Sequence, residues 1–251
     1  MDKFKLDGKV AIVTGASKGL GKSIAVGLAE AGADVCLVAR GDQSSTAQQI
    51  EALGRKVLPI TADLGQRDQV LNITKSVVDH FGRVDTLVNN AGMTRRAPIV
   101  DFTTKDWDEV IEVNQTAPFL LSQAVAKQYI AQGNGGKIIN IASMQSYQGG
   151  ISICSYTASK HAISGLTKIM ANELASKNIN VNAIAPGYMA TEITAPLRAD
   201  VARNKAILER IPAGHWGAPD DIQGLAVFLA SDAAAYLHGF TIAIDGGWLA
   251  R

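Results

Sequence analysis

The chain has 251 residues, 47% of them hydrophobic, with 24 lysines and arginines against 23 aspartates and glutamates for a formal net charge of +1. That composition supports a sizeable core without disulfide staples, reads Cys36 and Cys154 as reduced thiols, and offers no basic run to track a nucleic acid. The first residues lack the apolar core of a secretory signal and no apolar run reaches the roughly 18 residues that span a bilayer, so a cytoplasmic globular protein is expected.

Short β-branched runs alternate with helix-length segments. Strand 10–13 is followed, past Gly19 and Gly21, by Ile24, Leu28 and Ala31 at helical spacing. Strand 35–38, helix 45–53, strand 57–60, helix 70–81 and strand 86–88 come next. A long helix from about 106 to 132 leads to strand 137–141, and another from about 155 to 175 leads to strand 181–184. A last helix near 220–230 precedes strand 241–244. Seven mostly apolar strands separated by helices predict a seven-stranded parallel sheet buried on both faces. The fold class is α/β: one doubly wound, Rossmann-type domain over 1–251, with ligands beyond the carboxyl ends of the strands. The 186–216 stretch breaks the rhythm with Pro186, Pro196, Pro212 and a short helical candidate over 199–209. It is expected to be a small helical lid over the same sheet edge.

Strand one ends in Thr14-Gly15-Ala16-Ser17-Lys18-Gly19-Leu20-Gly21 and then enters a helix. Glycines there let the backbone approach a pyrophosphate, and the helix start offers free N–H groups. Tyr156 and Lys160 stand four apart and share one helix face. A free phenol titrates at about 10, and a nearby ammonium is expected to lower that value. Ser143, at the end of the fifth strand, suits donation to a substrate oxygen. Each residue alone is ordinary; their joint spacing points to chemistry.

The Gly-x-x-x-Gly-x-Gly loop, Asn89-Asn90-Ala91-Gly92 after the fourth strand, Ser143 with Tyr156-x-x-x-Lys160, and Pro186-Gly187 with Thr191 carry a resemblance. Together, and over the whole chain, they resemble the short-chain dehydrogenase/reductase family of classical type. The resemblance implies an NAD(P)-dependent oxidoreductase interconverting a secondary alcohol and a ketone. Its catalytic set would be Asn114, Ser143, Tyr156 and Lys160, with Tyr156 as acid/base, Lys160 also on the nicotinamide ribose, and Asn114 anchoring a water. The dinucleotide would run along Gly15, Ser17, Lys18, Gly19, Leu20 and Gly21. Asp63 and Leu64 would meet the adenine, Asn90, Ala91 and Gly92 the adenine ribose side, and Pro186, Gly187 and Thr191 the nicotinamide. An acid at the end of strand two would bind the ribose hydroxyls of NAD, but Ala39 stands there, followed by Arg40. With Lys18 nearby, two cations and no acid favour NADP(H), with NAD(H) the alternative.

Arg95-Arg96 follows the Asn-Ala-Gly corner, where a guanidinium suits a carboxylate. Gln145, Gln148 and Tyr188 join Ser143 and Tyr156 as candidate substrate contacts. The blocks 133–144 and 180–191 and the tail 242–251 resemble the 2-dehydro-3-deoxy-D-gluconate 5-dehydrogenases of the family. The paired arginines, Asn114-Gln115-Thr116 and Ser143-Met144-Gln145-Ser146 resemble its gluconate 5-dehydrogenases. The implied partner is a small sugar acid or keto acid reacting at C5, and the implied assembly is a homotetramer. Its interfaces would be the long helices starting near 106 and 155 and the C-terminal strand. Two alternatives stand: reduction of a 3-oxoacyl group on a carrier protein, and a non-catalytic dinucleotide sensor. The four histidines show no metal-ligand spacing with cysteines or acids, so no catalytic metal is expected, and neither nucleic acid nor membrane is an expected partner.

Overall fold

Seven parallel strands in the order β3-β2-β1-β4-β5-β6-β7 form the centre of the computed structural model, which describes residues 2–251. They are β1 (Val10–Thr14), β2 (Asp34–Ala39), β3 (Val57–Thr61), β4 (Thr86–Asn89), β5 (Gly136–Ile141), β6 (Ile179–Pro186) and β7 (Thr241–Ile244). Each answers to a predicted strand, with β6 longer at both ends. β1 and β6 are buried along their whole length, β6 with Asn180 and Asn182 among its apolar residues. After β3 the chain returns across the sheet to lay β4 against the other side of β1. That reversal opens the crevice in which doubly wound sheets take ligands.

Two helical layers cover the sheet. On one face α1 (Gly19–Glu30) and α2 (Ser44–Ala52) bury Ile24, Leu28 and Ile50 against Val13, Leu37 and Ile139. On the other face α3 (Arg67–Phe81) buries Val70, Ile73 and Val77. The helix expected from about 106 to 132 is present and widens once along its length. α4 (Thr104–Ile111) starts where the Thr103 hydroxyl accepts from the Asp106 N–H, and α5 (Ala117–Gln132) follows it. Between them Glu112–Thr116 widens into a π turn. Such single-turn bulges mark functional positions in helices, and this one holds the buried Asn114.

α6 (Cys154–Leu174) carries Tyr156 and Lys160. The lid candidate is two helices rather than one, α7 (Ala195–Ala199) and α8 (Val201–Leu208). Asp200 leaves the helical region between them, and its carboxylate caps α8 by accepting from the Arg203 N–H. α9 (Gln223–Ala230) is preceded by a separate 3-10 turn at Pro219–Ile222, where proline suits the first position. Both cysteines are free, and burial pushes the Cys36 thiol up. Among the described residues no helix is long and apolar enough to cross a membrane.

Candidate active site

Backbone shape defines the nucleotide end of the crevice. Gly15 has φ +67, and a Cβ there would lie 2.8 Å from Asn90 Nδ2. A Cβ on Gly21 would lie 2.2 Å from the Gly15 carbonyl oxygen, so only glycine lets α1 start this close to the turn. The Asn90 amide donates to the Thr14 carbonyl at 2.8 Å. In return the Thr14 hydroxyl accepts from the N–H groups of Asn90 and Ala91 at 2.9 and 3.0 Å. These bonds lock the β1 and β4 loops together, and Thr14 is a lock that its motif position did not disclose.

Lys18 occupies the N-cap of α1 without a side-chain cap, leaving the first N–H groups free for an anion. Arg40 is 73% exposed and stands 4.0 Å from the Asp63 carboxylate. A cavity of about 460 Å³ opens beside it, lined by Gly41, Ser44 and Thr61 among others. Asp63 does not cap α3; its carboxylate accepts from the Gly65 N–H at 2.9 Å, and Gln66 holds the N-cap position. Leu64 is buried beside it. At the other end Thr191 lies over Gly19, its Cγ2 3.6 Å from where a Cβ would stand. Gly187 passes so close to Asp245 that a Cβ would meet its Cα at 2.6 Å. The crevice fits a pyrophosphate-bridged dinucleotide: a backbone cradle, an uncapped helix start and an exposed guanidinium lie along it.

The catalytic candidates converge where β5 ends. Ser143 leaves the strand in extended conformation, and its hydroxyl accepts from the Gln145 N–H at 3.1 Å. Tyr156 stands near enough to Ser143 for that hydroxyl to act on its phenol. Lys160 is buried, its ammonium donating to the Ile141 carbonyl at 2.6 Å and standing 5.6 Å from the Tyr156 ring centre. Here structure and expectation part. The Tyr156 phenol is pushed up, not down: burial is the largest cause, opposed by the Ser143 hydroxyl and then by the charge of Arg96. Lys160 is not among the groups that shift it; its ammonium donates to Ile141, and burial lowers Lys160 itself to about 8.

Asn114 is fully engaged. Its Oδ1 accepts from the Met93 N–H at 2.8 Å, and its Nδ2 donates to the Met93 carbonyl and the Ser159 hydroxyl at 2.9 and 3.2 Å. Ser159 in turn donates to the Tyr156 carbonyl at 2.7 Å. The π turn thus ties the corner after β4 to the helix bearing the tyrosine. Sequence reasoning missed Met93 and Ser159: one acts through its backbone, and the other is a common small residue.

The two arginines separate. Arg95 turns back to α4, its guanidinium 2.8 Å from Glu109 and 3.3 Å from Asp106. Arg96 has no acid within ion-pair distance among the described residues, and its charge reaches Tyr156. Gln145 is buried, with its carbonyl oxygen unpartnered. Gln148 accepts from the indole N–H of Trp248 at 3.2 Å, leaving its amide N–H groups as donors. Tyr188 packs edge-on between Trp216 and Trp248, with ring centres 5.2 and 4.8 Å away. Met144, next to Ser143, joins Trp248, Ile207 and Ile211 in one apolar cluster, so α8 and the C-terminal segment form the wall beside the serine. Trp248 also carries the Arg210 guanidinium 4.1 Å from its ring centre.

This pairing of a glycine-cradled crevice with serine, tyrosine and lysine at one strand end defines a dinucleotide-dependent oxidoreductase. Residues 9–202 match the family model for short chain dehydrogenases, and the chain belongs to that family. It is 55% identical to the 2-dehydro-3-deoxy-D-gluconate 5-dehydrogenase of Escherichia coli, over 100% of this chain and 99% of that one. A crystal structure from Agrobacterium tumefaciens, provisionally assigned as a 2-deoxy-D-gluconate 3-dehydrogenase and holding NADP, is 53% identical. It has a TM-score of 0.94 over 100% of both chains. A gluconate 5-dehydrogenase from Burkholderia cenocepacia, in complex with NADP and tartrate, is 39% identical. Its TM-score is 0.95, over 100% of this chain and 98% of that one.

Proposed function

We propose that the protein is an NADP(H)-preferring oxidoreductase interconverting a secondary alcohol and a ketone at C5 of a hexonic acid, of the 2-dehydro-3-deoxy-D-gluconate or gluconate type. The observation that carries the acid part is Arg96, an arginine free of acidic partners whose charge reaches the tyrosine, while its neighbour is consumed by α4. The names of the relatives and the tartrate in the Burkholderia complex support the same reading. The NADP in two structural relatives agrees with Ala39 standing where an acid would select NAD, followed by Arg40 and with Lys18 in the glycine loop.

The nicotinamide group supplies or accepts the hydride when bound. The chain does the rest. The uncapped start of α1 and the glycine cradle bind the pyrophosphate, and Arg40 with Lys18 reaches a 2′-phosphate. Ser143 has accepted its hydrogen bond from Gln145, so its own proton is available to a substrate oxygen. Tyr156, pushed up by burial, holds its proton at neutral pH and delivers it to the developing alkoxide during ketone reduction. In the oxidative direction the same oxygen takes the proton as a phenolate, after losing its own to solvent, and the Arg96 charge favours that ionised form. Asn114 and Ser159 hold the tyrosine's helix in register with the substrate corner. An intact acid/base set beside the cradle favours an enzyme over a dinucleotide sensor.

The test is a paired assay of 5-keto-D-gluconate and a 3-oxoacyl thioester with NADPH and NADH, with the reduced carbon located by NMR. Reduction of the keto acid at C5 with NADPH is expected. Turnover of the thioester alone would replace the sugar-acid reading with the carrier-protein one. We also read the protein as a cytoplasmic homotetramer. Trp107 and Phe119 on α4 and α5 are each 40% exposed, and Tyr236 and Phe240 before β7 are more so, which suits two interfaces. Light scattering giving a monomer mass would refute the assembly.

A further inference from the structure

Gln145 presents an anomaly that the hydride-transfer chemistry does not use. The residue is 7% exposed, yet its side-chain carbonyl oxygen has no donor within reach. A buried acceptor left without a partner destabilises the protein, so such groups are rare and call for an explanation. Its place narrows the explanation. The Gln145 backbone N–H is bonded to the Ser143 hydroxyl, so the orphaned amide belongs to a residue that touches the catalytic serine.

Beside that amide runs the strap 149–152, between Gln148 and the start of α6. Gly150 lies against it: a Cβ there would stand 3.0 Å from Gln145 Oε1 and 2.4 Å from Ile153 Cδ1. The strap is loosely held. Its four residues make no hydrogen bond to the rest of the described chain beyond their own turn, Ile151 is 86% exposed, and Ser152 sits at φ 60, where a side chain is strained. Two consecutive glycines supply the freedom to move. Such a strap is tied by little beyond its own turn at 151–152.

Resting on the sugar-acid reading above, we propose that Gln145 is a specificity-determining residue. Its carbonyl oxygen, uncovered when the strap moves aside, accepts a hydrogen bond from a hydroxyl on the carbon next to the reacting one. A substrate hydroxyl completes a bond that the empty enzyme lacks; a substrate without that hydroxyl leaves the acceptor unpaired. Sites built to pair a substrate hydroxyl reject the analogue lacking it more strongly than apolar pockets reject a missing methylene. Arg96 would read the acid end and Gln145 the polyol next to the carbonyl.

The experiment compares wild type with Gln145→Met, of similar shape without the acceptor, and Gln145→Glu, which keeps one. Two substrate pairs are used with NADPH: 5-keto-D-gluconate against levulinate, which both carry a carboxylate, and erythrulose against 2-butanone, which do not. Wild type should favour the hydroxylated member of each pair in kcat/KM. Gln145→Met should cut that preference at least tenfold, Gln145→Glu should retain it, and the melting temperature of Gln145→Met should be unchanged or raised. Preferences unaltered in Gln145→Met would overturn the proposal. So would a fall in melting temperature, or a failure to fold shared with Gln145→Leu, since the amide would then be partnered in the free enzyme. Failure of the sugar-acid reading looks different: the carboxylate pair would lose its advantage while the erythrulose preference still responded to Gln145.

Discussion

On the β1–β4 side of the crevice, an added methyl at Gly15 or Gly21 would run into Asn90 or the Gly15 carbonyl, and Thr14 fastens both loops by their backbones. On the β5–β6 side, Ser143, Tyr156, Lys160 and Arg96 act through side-chain atoms, and the wall is an apolar cluster that includes Trp248. The nucleotide end is therefore a shape that few sequences can make, serving a ligand part that does not vary. The substrate end is chemistry hung on a common frame, where one side chain can change what is bound. Substitutions at the two ends should fail in different ways.

The sharpest separation comes from Tyr156→Phe. It removes one hydroxyl from the substrate end and nothing from the cradle, so kcat should fall by about 10³-fold or more while NADPH still quenches protein fluorescence on binding. Retained turnover would remove the tyrosine from the mechanism. Next in size is Arg40→Asp at the opposite end. Exchanging a phosphate-seeking cation for a ribose-seeking acid should shift the NADPH-to-NADH preference by about 100-fold, the scale of two charge-assisted contacts. An unchanged ratio in kcat/KM would mean that Arg40, already 4.0 Å from Asp63, stays with that carboxylate.

The same division explains what the sequence discloses. All seven strands and the glycine cradle are legible because apolar runs and glycine spacing report backbone geometry directly. The π turn within the long helix is not: nothing in Glu112-Val113-Asn114-Gln115-Thr116 marks it, and the partners of its Asn114, Met93 and Ser159, lie on other segments. Lys160 shows the limit for electrostatics. Spacing put an ammonium one turn from a phenol, but spacing carries no information on burial, and burial reversed the expected direction at Tyr156. Nor could adjacency tell Arg95 from Arg96, because the acids that claim Arg95 lie a loop away at Asp106 and Glu109.

That last distinction gives the third prediction. Arg96→Ala should raise KM for 5-keto-D-gluconate about tenfold, the cost of one lost charged hydrogen bond, with a smaller effect on erythrulose. Arg95→Ala should change KM by less than about twofold, because half-exposed ion pairs with α4 contribute little. Equal effects from both would dissolve the assignment of the acid-binding role to one arginine.

The smallest expected effect joins the two ends through Lys160. Burial lowers its ammonium from an ordinary 10.5 to about 8 in the ligand-free protein. Below pH 8 the charge is present and available to a bound ribose; as pH rises through 8 it is lost. NADPH affinity should therefore be flat below pH 7.5 and weaken about threefold per pH unit beyond 8, a break absent in Lys160→Met. Stability runs the other way. Below pH 8 both folded and unfolded chains hold the proton, so the full cost of burying a charge with one carbonyl partner is present. Between 8 and 10.5 the folded chain sheds the proton first and this group's contribution to stability rises. Lys160→Met should accordingly melt higher than wild type at pH 7 while binding NADPH less tightly. A lower melting temperature would instead make the bond to Ile141 a stabilising one, and Lys160 part of the frame as well as of the chemistry.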